Sequence, residues 1–187
     1  MKAKRGTFGY IATRKRGVIL WTVCLVGIAL AIYIVGLLLN KMSYRNVFTV
    51  AAVLFVLPIA KQLVALILLF PYHSVPQDRY QKVMDRLPQG VELFTDLVIT
   101  SSEKVMHLDF VVVGQRQVIG LLGDGKQQLS DVRPYLTKGV HNWGSDYKVK
   151  IVDSEKIFLQ ELQKIDPVDV DPEEEALVKS YLTSLIV

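Results

Sequence analysis

The sequence predicts a membrane-anchored α/β protein, in which a two-helix transmembrane hairpin precedes a small α-β-β-β-α-β domain with a mixed sheet of about four strands. The first observation behind this prediction is charge. Residues 1–72 contain nine Lys or Arg and no Asp or Glu, whereas residues 73–187 carry 13 Lys or Arg against 18 Asp or Glu. The second is hydropathy, because two long apolar runs lie in the front part and strand-like or helix-like patterns follow. This division excludes a basic nucleic-acid binder as the class of the whole chain.

The first predicted span is residues 18–39, which include no charged residue over 22 positions. A helix of this length rises about 33 Å, which matches a hydrocarbon core of about 30 Å. A cleavable signal peptide has similar ingredients, but the apolar residues continue to Leu39 and a second apolar segment follows. Residues 1–17 then form a basic cytoplasmic N-terminus, whose place beside a span favours anionic lipid headgroups as partners.

The second predicted span is residues 47–72, in which Pro58 is expected to kink the helix. A connector of seven residues, 40–46, favours an antiparallel hairpin, residues 18–72 in all. Six Lys or Arg precede the first span, whereas the connector has two. The side rich in Lys and Arg is cytoplasmic, so both termini are expected inside the cell. The chain is thus predicted to be a multi-pass protein of the cell membrane.

Four residues are candidates for contacts within the lipid bilayer. Lys61 lies 14 residues into the second span, where a lysine is costly. It either binds a partner helix together with Gln62 or extends its ammonium group to the membrane interface. Gly27 and Ala31 form a small-xxx-small pair, which allows close helix approach within the hairpin or between copies. These features predict a protein partner or a homo-oligomer.

Residues 73–187 are predicted to form the cytoplasmic α/β domain. The periodicity of apolar residues predicts strands over 91–100, 105–113, 118–122 and 147–152, and helices over 76–87, 131–143, 154–165 and 171–186. Two of these helices have a candidate N-cap, Asp131 and Asp171, and Pro172 suits the first turn of the last one.

The strand over 105–113 is expected to be central, because apolar residues occupy both of its faces. Strict alternation would place Met106, Leu108, Phe110 and Val112 on the same face.

The order helix-strand-strand-strand-helix-strand, with the run LDFVVVGQRQVIGLL from Leu108 to Leu122, resembles the restriction-endonuclease-like core (the PD-(D/E)xK group) and its nuclease-related domains. The resemblance covers residues 76–152. It implies that an Asp on the second strand and an acid-x-Lys on the third hold a divalent metal, with the lysine positioning the attacking water. Oxygen ligands suit Mg²⁺ in this role.

Asp109 matches the aspartate of the second strand in this resemblance. The third strand contains no acid-x-Lys, and the nearest candidate is Asp124-Gly125-Lys126, two residues beyond it. The resemblance thus implies Asp109 and Asp124 as metal ligands, and these two with Lys126 as the catalytic set of a nuclease.

Because the fold pattern is intact and the site pattern is broken, the sequence favours a non-catalytic interaction or regulatory domain tethered to the membrane. Nucleic acid is not an expected partner of such a domain. The alternatives are a membrane-tethered metal-dependent nuclease and a subunit of a membrane assembly. The single cysteine, Cys24, excludes an intramolecular disulfide and a cysteine-based zinc site.

Overall fold

The computed structural model describes residues 4–101, 104–125, 127–166, 168 and 170–187. Two compact units make up the chain: one combines the residues up to Ala12 with Tyr72–Val187, and the other is Thr13–Pro71. The elements in chain order are α1 (Tyr10–Leu39), α2 (Val47–Leu54), α3 (Val56–Leu69), α4 (Gln77–Met84), β1 (Glu92–Thr100), β2 (Val105–Gly114), β3 (Gln117–Leu122), α5 (Leu129–His141), β4 (Lys148–Val152), α6 (Glu155–Leu162) and α7 (Pro172–Ser184).

Two helical segments are long and apolar enough to cross a membrane, namely Tyr10–Leu39 and Val47–Leu69. The most apolar 18 residues of each segment have a mean hydropathy of 2.7 and 2.4, and only 6% of each of these stretches is buried. A core helix of a soluble protein would be mostly buried instead. The second segment is interrupted at Phe55, between α2 and α3. The expected distortion is therefore present, since Pro58 has no N–H to donate to the Leu54 carbonyl.

Partly or fully buried side chains recur at intervals of three and four residues along both apolar segments. The series are Thr22, Leu25, Ala29, Ile32 and Gly36 in α1, and Ala52, Phe55, Ile59, Gln62 and Leu66 in the second segment. This spacing is typical of two helices packed along one seam. At one end of the hairpin, Gly36 lies so close to Phe48 that a side chain larger than hydrogen would overlap with it.

The α/β unit contains a four-stranded mixed sheet in the order β1-β2-β3-β4. β1, β2 and β3 are antiparallel neighbours, and β4 runs parallel to β3. The predicted element order and the mixed sheet are confirmed. β2 is buried along almost its whole length, as expected for a strand that is covered on both faces.

Helices cover both faces of this sheet. One hydrophobic cluster joins it to α5 and α7 through Leu136 and Val178, and the other joins it to α4 and α6 through Val83 and Phe158. The unit therefore has three layers, helices on sheet on helices, and each layer buries its apolar side against the next.

The apolar residues of β2 change face at Asp109, so the prediction that all four alternating residues share one face is wrong. Met106 and Leu108 belong to the cluster with α5 and α7, whereas Phe110 and Val112 belong to the cluster with α4 and α6. The register between β2 and β3 shifts between Leu108 and Phe110. This is a β-bulge, and the extra residue, Asp109, reverses the alternation of side chains.

Several helix boundaries also differ from the prediction, since α4 and α6 end at Met84 and Leu162 rather than at residues 87 and 165. The last helix ends at Ser184 rather than at residue 186, because Ile186 forms an antiparallel bridge with Ile99 of β1. The helix predicted from residue 131 begins at Leu129, and Asp131 is paired with Lys104 at 2.6 Å instead of capping it.

The other predicted N-cap is confirmed at the start of α7. The carboxylate of Asp171 accepts a hydrogen bond from the Glu173 N–H at 2.9 Å, and Pro172 follows the cap.

The segment before α1 belongs to the α/β unit. The Gly6 carbonyl accepts from the Thr95 N–H at 2.9 Å, so this segment contacts the edge of the sheet at β1. The Tyr10 ring is buried, and its hydroxyl donates to the Val187 carbonyl at 2.7 Å. The described part of the predicted basic N-terminus thus supplies a sheet contact and a core residue.

Candidate functional site

Buried polar side chains gather where β1 and β2 are distorted. Asp96, His107 and Asp109 are each at most 6% exposed, and the buried strand residues around them are apolar apart from Thr95. The pairs on either side, Thr95 with Phe110 and Leu97 with Leu108, place Asp96 opposite Asp109. Asp96 adopts a left-handed backbone, with φ 58°. Such a backbone is uncommon outside glycine, and aspartate is one of the residues that tolerate it.

Arg79 of α4 bridges two carboxylates from different elements. Its Nη1 lies 2.7 Å from Asp109 Oδ2, and its Nε lies 2.7 Å from Glu155 Oε2 at the start of α6. The guanidinium carbon is also 5.7 Å from the centre of the Phe110 ring. Burial alone would lower the pKa of Arg79, but the hydrogen bonds to Glu155 and Asp109 raise it. Arg79 therefore joins both helices of this layer to β2 as a permanent cation.

His107 is 2% exposed, and its ring lies 4.8 Å from that of Tyr72. The nearest charged oxygen is Asp109 Oδ1, 3.8 Å from Nε2. Neither ring nitrogen makes a hydrogen bond of ordinary geometry in the described part of the chain, although the backbone of Asp124 is nearby. Burial lowers the pKa of His107 against the opposing charge of Asp109, so the neutral imidazole is favoured.

Asp96 holds two chain segments that are far apart in sequence. Its Oδ2 accepts from the Ile11 N–H at 3.3 Å, and its Oδ1 accepts from the Val75 N–H at 2.9 Å. Ile11 lies in the first turn of α1, where backbone donors have no partner within the helix. Asp96 therefore acts as a cap that comes from the sheet.

Sequence reasoning missed Asp96 and also Arg79 and Glu155. An available signal was a single carboxylate inside the apolar strand LFTDLVIT, where burial requires hydrogen-bond partners. No local pattern shows that Arg79 and Glu155, 76 residues apart, meet each other.

Of the predicted catalytic residues that the structure describes, Asp109 lies in this cluster of buried side chains and Asp124 does not. Asp124 is exposed in the loop after β3, and Lys126 lies outside the described residues. In the ranges that the structure describes, no group of three His, Cys, Asp or Glu could hold a metal ion. Asp109 instead has one carboxylate oxygen occupied by the guanidinium of Arg79.

The loop after β3 is fixed to β2 by Gln127. Its Oε1 accepts from the His107 N–H at 2.7 Å, and its Nε2 donates to the Gly123 carbonyl at 2.9 Å. Gly123 also lies against the His107 ring and Asp109 Oδ1, where a Cβ would overlap with both. The loop therefore closes over this side of the cluster.

The four predicted membrane contacts occupy two kinds of position in the hairpin. Gln62 is half-buried in the seam, whereas Lys61, Gly27 and Ala31 are exposed. A Cβ on Gly27 would meet no atom within 4 Å, so the small-residue pair is not used where the hairpin packs.

The cluster around Asp109 can hold several elements in place, and its His107–Asp109 pair is closed off from solvent. No known protein family, no curated protein and no solved structure matches this chain.

Proposed function

We propose that this chain is a cell-membrane protein whose cytoplasmic α/β domain is non-catalytic and binds or regulates a protein partner. The hairpin of two exposed apolar segments supports the anchoring part of this proposal. Such a surface is unfavourable in water and favourable in lipid. The absence of acidic residues before Asp78 fits a segment that begins and ends at an anionic membrane surface.

The proposal that the domain is non-catalytic rests on one observation. Both buried carboxylates of the sheet already accept hydrogen bonds from donors within the protein. Asp109 is bound to Arg79, and Asp96 accepts from two backbone N–H groups. A divalent metal would have to displace a guanidinium that is held at 2.7 Å by two carboxylates. We therefore propose that the domain is a relative of the restriction-endonuclease-like core whose site has a structural role.

The position of the termini supports an even number of membrane crossings. Gly6 and Tyr10 precede the apolar hairpin, and both bind residues that follow it, Thr95 and Val187. Segments that fold into one unit must lie on one side of a membrane. The basic flanks of the hairpin favour the cytoplasm as that side.

Cysteine labelling in intact cells tests the anchoring and the topology together. In a Cys24→Ser background, Ser43→Cys lies in the connector and Ser184→Cys lies at the end of α7. We expect a membrane-impermeant maleimide to label Ser43→Cys in intact cells and Ser184→Cys only after lysis. Extraction of the chain by alkaline carbonate, or labelling of Ser184→Cys before lysis, would contradict the proposal.

A cleavage assay tests the non-catalytic part. The full chain in mild detergent is incubated with labelled DNA and RNA in the presence of Mg²⁺ or Mn²⁺, and we expect no cleavage. Cleavage that is lost in Asp109→Asn and retained in the matched variant Asp85→Asn, which lies on an exposed turn, would favour the nuclease alternative.

A further inference from the structure

Lys61 lies deep in the apolar hairpin, and the contacts of the hairpin set that depth. At the other end of the seam from Gly36, the ammonium of Lys15 donates to the Phe70 carbonyl at 2.9 Å. This contact places a basic residue of α1 level with the end of α3, as at a membrane interface. Lys61 precedes Phe70 by nine residues, which is about 13 Å along a helix axis. In a hydrocarbon core of about 30 Å, this depth is near the middle.

The side chain of Lys61 is directed away from the seam. Ile59, Gln62 and Leu66 are partly buried along the seam, while Lys61 between them is exposed. Its aliphatic stem covers only about half of the distance to the interface. A lysine at this depth is among the most unfavourable residues on insertion scales, and charged residues in membrane spans usually have a partner.

Neither this chain nor a second copy of it offers that partner within the membrane. The first acidic residue is Asp78, beyond the whole hairpin. A symmetric dimer through this face would bring two Lys61 side chains together and would add repulsion. Charge complementarity therefore requires a carboxylate from a different membrane protein.

We propose that the outward face of α3 around Lys61 binds a transmembrane helix of another protein, one that carries a carboxylate at mid-membrane depth. This inference rests on the proposed membrane anchoring and assigns the chain to a hetero-oligomeric assembly. In that assembly, the ammonium of Lys61 and the carboxylate neutralise each other in lipid, and the cytoplasmic unit is held beside the partner.

Energy transfer in lipid vesicles tests the inference with synthetic helices as probes. The full chain carries a donor at Ser43→Cys in a Cys24→Ser background. Two acceptor-labelled Leu-Ala helices are compared, one with Glu and one with Gln at its centre. We expect the Glu helix to associate about tenfold more tightly than the Gln helix, and Lys61→Leu to abolish the difference. The matched variant Lys41→Leu, in the connector, should keep it.

The possible outcomes separate this inference from the proposed function. Flotation of the chain with the vesicles is measured first, and a chain that does not float overturns both. If the chain floats but binds the Glu and Gln helices equally, only the inference is overturned. The same holds if the Lys61→Leu variant still prefers the Glu helix as strongly as the parent chain does. A third outcome is energy transfer between copies of the chain, together with equal binding of the two probes. If Gly27→Leu abolishes this transfer and Lys61→Leu leaves it unchanged, the interface belongs to a homo-oligomer instead.

Discussion

Asp96 and Asp109 occupy opposite register positions on neighbouring strands, where two like charges are unfavourable. Each carboxylate is stabilised by its own donors, which approach from different elements. Asp96 receives backbone N–H groups, and Asp109 receives the guanidinium of Arg79. Because these donors come from outside the two strands, the pair of carboxylates requires the helices and the N-terminal segment to be in place.

Replacement of Arg79 by methionine tests this dependence. Arg79→Met leaves Asp109 buried without its cation, and we expect the free energy of unfolding to fall by about 1–3 kcal/mol. The loss should lie toward the lower end, because the Arg79 side chain is 28% exposed. Urea unfolding of the full chain in detergent, followed by near-UV circular dichroism, measures it.

Two further variants complete this test. Arg86→Met, at an exposed position beyond α4, should change the free energy of unfolding by less than about 0.5 kcal/mol. Addition of Asp109→Asn to Arg79→Met should recover part of the loss, because the unpaired charge is removed. Equal stability of Arg79→Met and the parent chain would contradict a holding role for this ion pair.

Tyr147 has a side-chain hydroxyl that is buried in the α/β unit. The residue is 1% exposed, and its Oη has no hydrogen-bond partner in the part of the chain that the structure describes. Burial, with smaller contributions from Glu175 and Glu174, raises the pKa of Tyr147 to about 12, so the phenol stays neutral at every physiological pH.

We expect Tyr147→Phe to keep or increase stability, by up to about 1 kcal/mol, because it removes a polar group that was desolvated without compensation. Tyr147→Leu should instead cost about 2–3 kcal/mol through the cavity that it leaves. Thermal unfolding of the two variants separates the hydroxyl from the ring. A clear destabilisation by Tyr147→Phe would reveal a partner for the hydroxyl.

At the scale of elements, Asp96 connects three parts of the unit: β1, the first turn of α1 and the segment around Val75. The last two flank the apolar hairpin at its two ends. One carboxylate therefore fixes the points at which the chain leaves the α/β unit and returns to it.

Asp96→Gly and Asp96→Asn test this connection and allow for the left-handed backbone, which both replacements tolerate. Asp96→Gly removes both acceptor oxygens, so hydrogen exchange of the Ile11 and Val75 amides should accelerate about tenfold or more. Asp96→Asn keeps one acceptor oxygen, so only one of the two amides should lose protection. Unchanged exchange at both amides in Asp96→Gly would show that the carboxylate does not cap them.

Local patterns predicted the order and type of the elements, because apolar periodicity directly reflects which side of a helix or strand is buried. Local patterns gave a wrong prediction where a single residue changes the relation between sequence spacing and the buried face. The bulge at Asp109 reverses the faces of β2, and an aspartate within an apolar strand does not by itself signal a bulge. The candidate site could be predicted only at Asp109, since its partners Arg79 and Glu155 come from two other elements.

At the scale of the whole molecule, the α/β unit depends on residues from both ends of the chain. Tyr10 and Val187 are 177 positions apart, and their hydrogen bond joins the first residue of α1 to the segment after α7. No local pattern predicts such a contact. A fragment that begins after the hairpin would lack Tyr10, Ile11 and the strand-edge contact of Gly6, so experiments on this unit require the full chain.

His107 links the stability of this unit to pH. Burial holds the pKa of His107 below its ordinary value of 6.5, so the folded state stays neutral where the unfolded state already binds a proton. Where the unfolded state binds more protons than the folded state, the free energy of unfolding decreases as the pH drops. The contribution of His107 is therefore fully present above about pH 6.5 and is lost as the pH falls through the lower, folded-state pKa.

We therefore expect the free energy of unfolding to decline as the pH falls below about 6.5, and His107→Leu to reduce that decline. His73→Gln is the matched control, because it replaces an exposed histidine. Denaturant unfolding of the full chain at a series of pH values measures all three proteins. A pH dependence that is the same in His107→Leu and in the parent chain would mean that this imidazole is equally easy to protonate in the folded and unfolded states, which contradicts its buried position beside Tyr72.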